Sequence, residues 1–147
     1  MLESSPFNLS GGQKRRVAIA GILALEPKYL ILDEPAAGLD PYGRNLILDE
    51  LYKIYKERKI TIILVSHSME DIAKYADRII VMNKGEAVMD GKPSQIFCRE
   101  DELYSMGLDI PEISKIMNKL RNMGYDIPKD VFDIKKLADI LTGEKNA

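Results

Sequence analysis

The sequence predicts an α/β fold in which helices alternate with the strands of a mainly parallel sheet. Residues 29–33 and 60–66 are short, nearly continuous apolar runs, which are typical of parallel strands covered on both faces. A helical pattern over residues 11–25 precedes the first run, and Asp40-Pro41 begins a second helix between the two runs. This alternation of strand and helix indicates an α/β layered sheet.

Local signals mark the helix boundaries. Residues 17–25 are apolar almost all round, and because a helix without a polar face needs cover, the first helix is predicted to be buried. Glu26-Pro27 ends that helix, since proline cannot continue it. A capping box at Ser68 and Asp71 begins a further short helix.

The character of the chain changes after the strands. Residues 78–82 and 86–90 flank a tight turn, which predicts a β-hairpin at the end of the sheet. Short amphipathic helices then replace strands. We therefore predict two domains, a core over residues 1–97 and a small helical extension of the dimerisation type over residues 98–147. Five apolar residues recur at helical spacing in the extension: Ile113, Ile116, Met117, Leu120 and Met123.

Composition excludes several classes of function. The chain has 147 residues, 46% of them hydrophobic, which suits one globular domain or one and a half small ones. A net charge of −2 gives no electrostatic footprint for nucleic acid, so we predict no nucleic-acid partner. Cys98 and His67 are each the only residue of their type, which excludes a disulfide framework or a Cys/His zinc site within one chain. We see no signal peptide and no run of about 18 apolar residues.

Residues 10–13 predict an anion-binding helix N-terminus. Ser10 and Gln13 are spaced as a capping box, and Gly11 and Gly12 leave two backbone N–H groups unobstructed. Three cations at residues 14–16 oppose the helix dipole, which makes sense if an anion lies in front of them. The simpler alternative is a capped helix with a basic, solvated face.

Two carboxylates and a histidine follow the two predicted strands. Asp33 and Glu34 end the first strand, where charged side chains are costly unless they face a cleft. His67 follows the second strand. Taken singly, each has a simpler interpretation, because strand ends often emerge into solvent and a lone histidine is more often structural than catalytic.

Together these segments resemble the second half of the ATP-binding-cassette (ABC) ATPases, which implies part of a P-loop NTPase core. Residues 9–13 match the signature loop, and residues 30–35 match the Walker B strand with its adjoining glutamate. Residues 37–40 match the D-loop, and Ser66-His67 matches the switch histidine.

A phosphate loop of the form Gly-x-x-x-x-Gly-Lys-Ser/Thr does not occur in the sequence. Gly38 and Gly43 have the glycine spacing, but Arg44-Asn45 stands where Lys-Ser/Thr is needed. We therefore expect half of an ATP site, a truncated reading frame or protein, and no ATP hydrolysis by this chain alone.

The resemblance implies roles for individual residues, with ATP and Mg²⁺ as cofactors. Asp33 corresponds to the ligand of the Mg²⁺ shell, and Glu34 to the carboxylate that polarises the attacking water. His67 corresponds to the histidine that contacts the γ-phosphate. Residues 10–13 and Asp40 correspond to the segments that meet ATP across a head-to-tail dimer of ATPase subunits.

The tail narrows the resemblance. Residues 102–104, 107–111 and 124–128 are similar to the C-terminal extension of energy-coupling factor (ECF) transporter ATPases, which drive uptake of vitamins or of cobalt and nickel ions. This implies a second ATPase subunit, identical or different, together with a transmembrane coupling subunit and a substrate-binding membrane subunit. It also implies a peripheral position at the cytoplasmic face of the cell membrane.

Two other interpretations stay open. One is a soluble ABC-type ATPase of chromosome maintenance or DNA repair, although those proteins carry long heptad coiled coils beside the signature and none is visible here. The other is a non-catalytic dimerisation module, which the apolar stripe of the tail would support.

Overall fold

The computed structural model describes residues 8–128, 131–132 and 134–143. Contacts within the chain separate it into two compact units, the first ending at His67 and the second beginning at Ser68. In the described part of the chain, no helix combines the length and apolar character that crossing a bilayer needs.

The first unit is a βαβ arrangement preceded by a helix. Its two strands pair in parallel, with Tyr29 opposite Thr61 and Asp33 opposite Val65. A parallel pair needs a long crossover, which a helix supplies here, so the carboxyl ends of both strands lie at the same edge. The elements are α1 (Gly11–Leu23), β1 (Tyr29–Asp33), α2 (Pro41–Arg58) and β2 (Thr61–Val65).

Among the described residues, one face of this parallel pair is exposed. Leu30 and Leu32 of β1 are buried, whereas Tyr29 and Ile31 are 72% and 68% exposed. Ile63, which pairs with Ile31, is also exposed. The prediction of strands covered on both faces is therefore wrong for the described part of the chain, in which alternate residues of β1 are exposed. The buried apolar residues of the unit are Leu23, Leu30, Leu32, Ile47, Leu48 and Leu51.

The first helix is more exposed than its sequence predicts. α1 ends at Leu23, its one buried residue, and Val17 and Ile22 are about half exposed. Leu25, just beyond the helix, is 80% exposed. A helix that is apolar all round needs neighbours on more than one side, and the groove lined by Ile19 and Leu23 of α1 is formed with α2. The prediction that residues 17–25 are buried is wrong here.

The second unit contains the predicted hairpin. Among the described residues, however, the hairpin forms a two-stranded sheet of its own and is not hydrogen-bonded to the parallel pair as its end, so that part of the prediction is wrong. β3 and β4 pair antiparallel around Lys84-Gly85, whose φ angles of 49° and 84° suit a tight two-residue turn. Ser68 accepts a hydrogen bond from the Asp71 N–H at 3.3 Å and so caps the third helix, as predicted. The elements are α3 (Met69–Tyr75), β3 (Ile79–Asn83), β4 (Glu86–Gly91), α4 (Pro93–Ile96), α5 (Glu100–Ser105), α6 (Glu112–Asn122) and α7 (Ile134–Thr142).

The predicted boundary between residues 97 and 98 falls inside this second unit. One apolar cluster joins residues from both sides of that boundary, so the hairpin and the first tail helices pack together. The division into domains over residues 1–97 and 98–147 stays a prediction. The cluster consists of Ala73, Val81, Met89, Ile96, Phe97, Leu103 and Ile110.

Most of the apolar stripe on α6 is internal. Ile113 and Met117 are buried against Leu137 of α7, and Met117 is only 1% exposed. Ile116 and Met123 remain exposed. The stripe is therefore largely core of the tail itself, which weakens its value as support for a dimerisation module.

Candidate functional site

The predicted capping box forms at the start of α1. The Ser10 hydroxyl accepts a hydrogen bond from the Gln13 N–H at 3.3 Å, and the Gln13 side-chain oxygen accepts one from the Ser10 N–H at 2.8 Å. Two of the N–H groups at this end are thus satisfied within the motif. Anion binding by the N–H groups of Gly11 and Gly12 stays a prediction.

The first turns of α1 also contact the loop between β1 and α2, which comprises residues 34–40. Nη1 of Arg15 donates a hydrogen bond to the Ala37 carbonyl oxygen at 2.6 Å. A Cβ added to Gly12 would lie 3.0 Å from Cδ2 of Leu39, so the helix backbone and this side chain are close neighbours. The signature segment and the D-loop match therefore lie side by side.

Glu34 and His67 meet at the shared carboxyl edge of β1 and β2. Oε1 of Glu34 accepts a hydrogen bond from the His67 backbone N–H at 2.8 Å and lies 2.6 Å from Nδ1 of the His67 ring. The His67 side chain is 85% exposed and that of Glu34 is 32% exposed. Because a carboxylate only accepts hydrogen bonds, this contact suits the tautomer of His67 with the proton on Nδ1, and Nε2 takes no part in it.

The backbone at Glu34 has an unusual conformation. Its φ angle is 45°, in the left-handed region that few residues other than glycine adopt. The Glu34 N–H nevertheless donates to the Val65 carbonyl at 2.9 Å, which continues the pairing of the two strands by one residue. This turn directs the Glu34 side chain across to the end of β2, where His67 follows. Strain of this kind is concentrated at functional sites.

Asp33 is the last residue of β1 and is exposed. In the described ranges, no group of three or more His, Cys, Asp or Glu side chains is arranged to hold a metal ion. Mg²⁺ is usually held by one or two carboxylates together with substrate phosphates and water, so a single exposed aspartate at this edge fits that ion. It would not fit a metal that requires an all-protein cage.

Asp40 is the N-cap residue of α2. Its Oδ1 accepts a hydrogen bond from the Gly43 N–H at 2.6 Å and caps α2, whose first residue is Pro41. The predicted helix start is therefore confirmed. Any contact of Asp40 with a nucleotide stays a prediction.

The structure brings the predicted residues together in two places rather than one. In the first place, the first turns of α1 lie against Ala37 and Leu39 of the loop. In the second place, His67 contacts Glu34. Sequence reasoning counted Arg15 only as one of three cations and missed its bond to the loop. A cleft of about 640 Å³, lined in part by Lys28 and Arg58, lies at the opposite end of the strands and is separate from both places.

Known proteins of one kind are similar to this chain in sequence. A family model described as "ABC transporter" matches residues 1–37. The chain is 54% identical to the energy-coupling factor transporter ATP-binding protein EcfA2 of Clostridium perfringens, over 95% of this chain and 49% of that protein. It is 55% identical to EcfA2 of Clostridium tetani, over 91% of this chain and 46% of that protein.

Solved structures show the same fold. The structure of cbiO1 from Clostridium perfringens, described as part of the ABC transporter complex cbiONQ, matches with a TM-score of 0.60 and 42% identity. That match covers 77% of this chain and 45% of cbiO1. A dimeric ATP-binding cassette in a post-hydrolysis state, bound to ADP and Pi, matches at 35% identity with a TM-score of 0.54, over 60% of this chain and 38% of that one.

The predicted fold class is thereby confirmed: the chain carries part of an ABC ATPase core of the P-loop NTPase class. More particularly, it is similar to the C-terminal half of the ATP-binding proteins of energy-coupling factor transporters. The chain spans about half the length of the curated relatives it matches.

Proposed function

We propose that this chain is part of the ATP-hydrolysing subunit of an ECF-type importer. The observation that carries the proposal is the contact of Glu34 with His67 at the carboxyl edge of two parallel strands. In open α/β sheets this edge is where ligands bind. The names of the relatives, which are ATP-binding proteins of energy-coupling factor transporters, support the same conclusion.

Glu34 and His67 have complementary chemistry for phosphoryl transfer to water. Both contacts with His67 use Oε1 of Glu34. The other oxygen, Oε2, could then accept a hydrogen bond from the attacking water and orient it. The same contacts hold the His67 ring through Nδ1, and we propose that its other nitrogen, Nε2, contacts the terminal phosphate of ATP. Phosphoryl transfer depends mainly on positioning and charge stabilisation, and both side chains contribute to positioning.

Asp33 completes this half of the proposed site. We propose that it holds Mg²⁺ together with the phosphates of ATP. The ion, when bound, would neutralise charge on the phosphate oxygens. Asp33 is the last residue of β1 and directly precedes Glu34, so both residues lie at the carboxyl end of that strand.

The start of α1 serves the other half of a site. We propose that the N–H groups of Gly11 and Gly12, beside the Ser10–Gln13 capping box, bind the terminal phosphate of an ATP molecule held by a second ATPase subunit. Asp40, at the end of the adjoining loop, would lie near the same subunit boundary. Two subunits in head-to-tail arrangement would then close over two ATP molecules.

The wider setting is also a proposal. By analogy with the named relatives, the ATPase would act at the cytoplasmic face of the membrane with a transmembrane coupling subunit and a substrate-binding membrane subunit. Its cargo would be a micronutrient, either a vitamin or a cobalt or nickel ion. The second ATPase subunit would be identical or closely related.

A fused protein tests the proposal. The part of the Clostridium perfringens relative that this chain leaves uncovered is joined to the start of the 147-residue chain, and Mg²⁺-dependent ATP turnover is measured. We expect turnover from the fused protein and none from either part alone. A fused protein that binds ATP without hydrolysing it, or turnover by the 147-residue chain alone, would contradict the proposal.

A further inference from the structure

The Arg15 guanidinium joins two segments that are distant in sequence. Its Nη1 lies 2.6 Å from the Ala37 carbonyl oxygen, across 22 residues of chain. The carbonyls of Glu34 and Ala36 accept backbone N–H groups from within the loop, at 3.1 and 3.4 Å. Arg15 thus binds the next carbonyl along, with a charge-assisted hydrogen bond that is stronger than a neutral one.

A second contact comes from the same face of α1. Gly12 and Arg15 are three residues apart, so they are neighbours on the helix surface. If residue 12 had a Cβ, that atom would lie only 3.0 Å from Cδ2 of Leu39. The helix is therefore joined to the loop by the hydrogen bond at Ala37, and the Leu39 side chain approaches the helix backbone too closely to leave room for a side chain at residue 12.

The position of Arg15 is otherwise unfavourable. It lies in the second turn of α1, near a helix end where the dipole disfavours positive charge. Lys14 is adjacent, exposed, and subject to the same dipole. The bond to Ala37 gives Arg15 a compensating interaction that depends on its reach and its donors, not on charge alone.

We propose that Arg15 is a positioning residue that fixes the loop of residues 34–40 to the first turns of α1. The N–H groups of Gly11 and Gly12 and the loop that leads to Asp40 then present a single, fixed surface. The consequence for turnover rests on the proposed function, because that surface would meet the ATP bound by a second subunit. The attachment of the loop to the helix does not depend on it.

Amide hydrogen exchange, measured by NMR on the 147-residue chain, tests the attachment. Exchange of the Ala37 and Leu39 amides is expected to be about five- to tenfold faster in Arg15→Ala, which loses a charged hydrogen bond. Arg15→Lys, which keeps one donor, should recover part of the protection. Lys14→Ala removes a neighbouring charge and should leave both rates within about twofold of the original.

Two results would overturn the attachment. One is equal exchange of the loop amides in Arg15→Ala and Lys14→Ala. The other is faster exchange in α2 at Leu48 and Leu51 by the same factor as in the loop, because Arg15 would then stabilise the whole unit without any specific effect on the loop.

Steady-state kinetics of the fused protein test the consequence for turnover. Arg15→Ala should lower kcat about tenfold and change KM for ATP less than about twofold, since the uncovered half supplies most ground-state binding. An unchanged kcat beside faster loop exchange would refute the role in turnover. A wild-type fused protein without turnover would refute the proposed function, while the exchange result would still decide whether Arg15 holds the loop.

Discussion

Oε1 of Glu34 lies within 2.8 Å of two nitrogens of His67, its backbone N–H and its ring Nδ1. The two residues are 33 positions apart and come together because β1 and β2 are adjacent and parallel. One oxygen therefore fixes both the backbone and the ring of the histidine. This arrangement makes separate predictions for Nδ1, which holds the glutamate, and for Nε2, which takes no part in that contact.

Substitution of His67 in the fused protein separates these two nitrogens. His67→Ala should lower ATP turnover about 100-fold, the usual loss for removal of one positioned group. His67→Asn, whose side chain can still reach Glu34 from the Nδ1 position but lacks an equivalent of Nε2, should be as impaired. Near-normal turnover in His67→Asn would show that the histidine only holds Glu34 in place.

Gly12 allows a test of the anion-binding helix end. Gly12→Asp in the fused protein should weaken ATP-driven dimer formation about tenfold or more, because it places a negative charge where phosphate is proposed to bind. Gly12→Asn is the matched control, since it places a side chain of the same size beside Leu39 without the negative charge. Sedimentation velocity with ATP measures the effect, and equal dimer affinity in both variants would refute the assignment of residues 10–13.

Asp40 should contribute to stability through its cap on α2. Asp40→Ala is expected to lower the free energy of unfolding by about 1 kcal/mol, the typical loss for a helix N-cap. Asp40→Asn keeps an oxygen acceptor and should lose much less. Urea titration of the 147-residue chain measures both. If the two variants lost stability equally, the charge of Asp40 rather than its hydrogen bond to Gly43 would be what matters.

Met117 distinguishes internal packing from an exposed interface in the tail. Met117→Asp should unfold α6 and α7, because it places an unpaired charge in a core where the side chain is 1% exposed, at a cost of about 3 kcal/mol or more. Ile116→Asp, on the exposed face of the same helix, should keep the helices intact. Circular dichroism at 222 nm compares them. An unchanged spectrum for Met117→Asp would contradict the packing described here.

Local interactions made several elements predictable from sequence. The Asp40-Pro41 helix start and the Ser10–Gln13 capping box depend on side chains that bond to backbone within three residues, and the structure confirms both. β1 occupies the predicted residues 29–33 because its apolar run is flanked by a proline and two carboxylates. In each of these cases the neighbouring residues determine the structure.

Burial could not be predicted in the same way. The apolar sequences of α1 and the two strands predict that their side chains are buried. Their actual exposure depends on which other elements pack against them. Ile31 is exposed, although the apolar sequence of its strand predicts burial on both faces. The bond of Arg15 to Ala37 was unpredictable for a related reason, since it depends on how the loop turns back over a helix 22 residues earlier in the chain.

The most direct test of the central claim is ATP turnover by the fused protein with Glu34→Gln. Glutamine preserves the size of the side chain and can still accept the hydrogen bond from the His67 N–H, but it lacks the carboxylate proposed to orient the attacking water. We expect turnover to fall at least about 100-fold while ATP binding stays within about twofold. Turnover close to that of the unsubstituted protein would contradict the claim that Glu34 is the catalytic carboxylate.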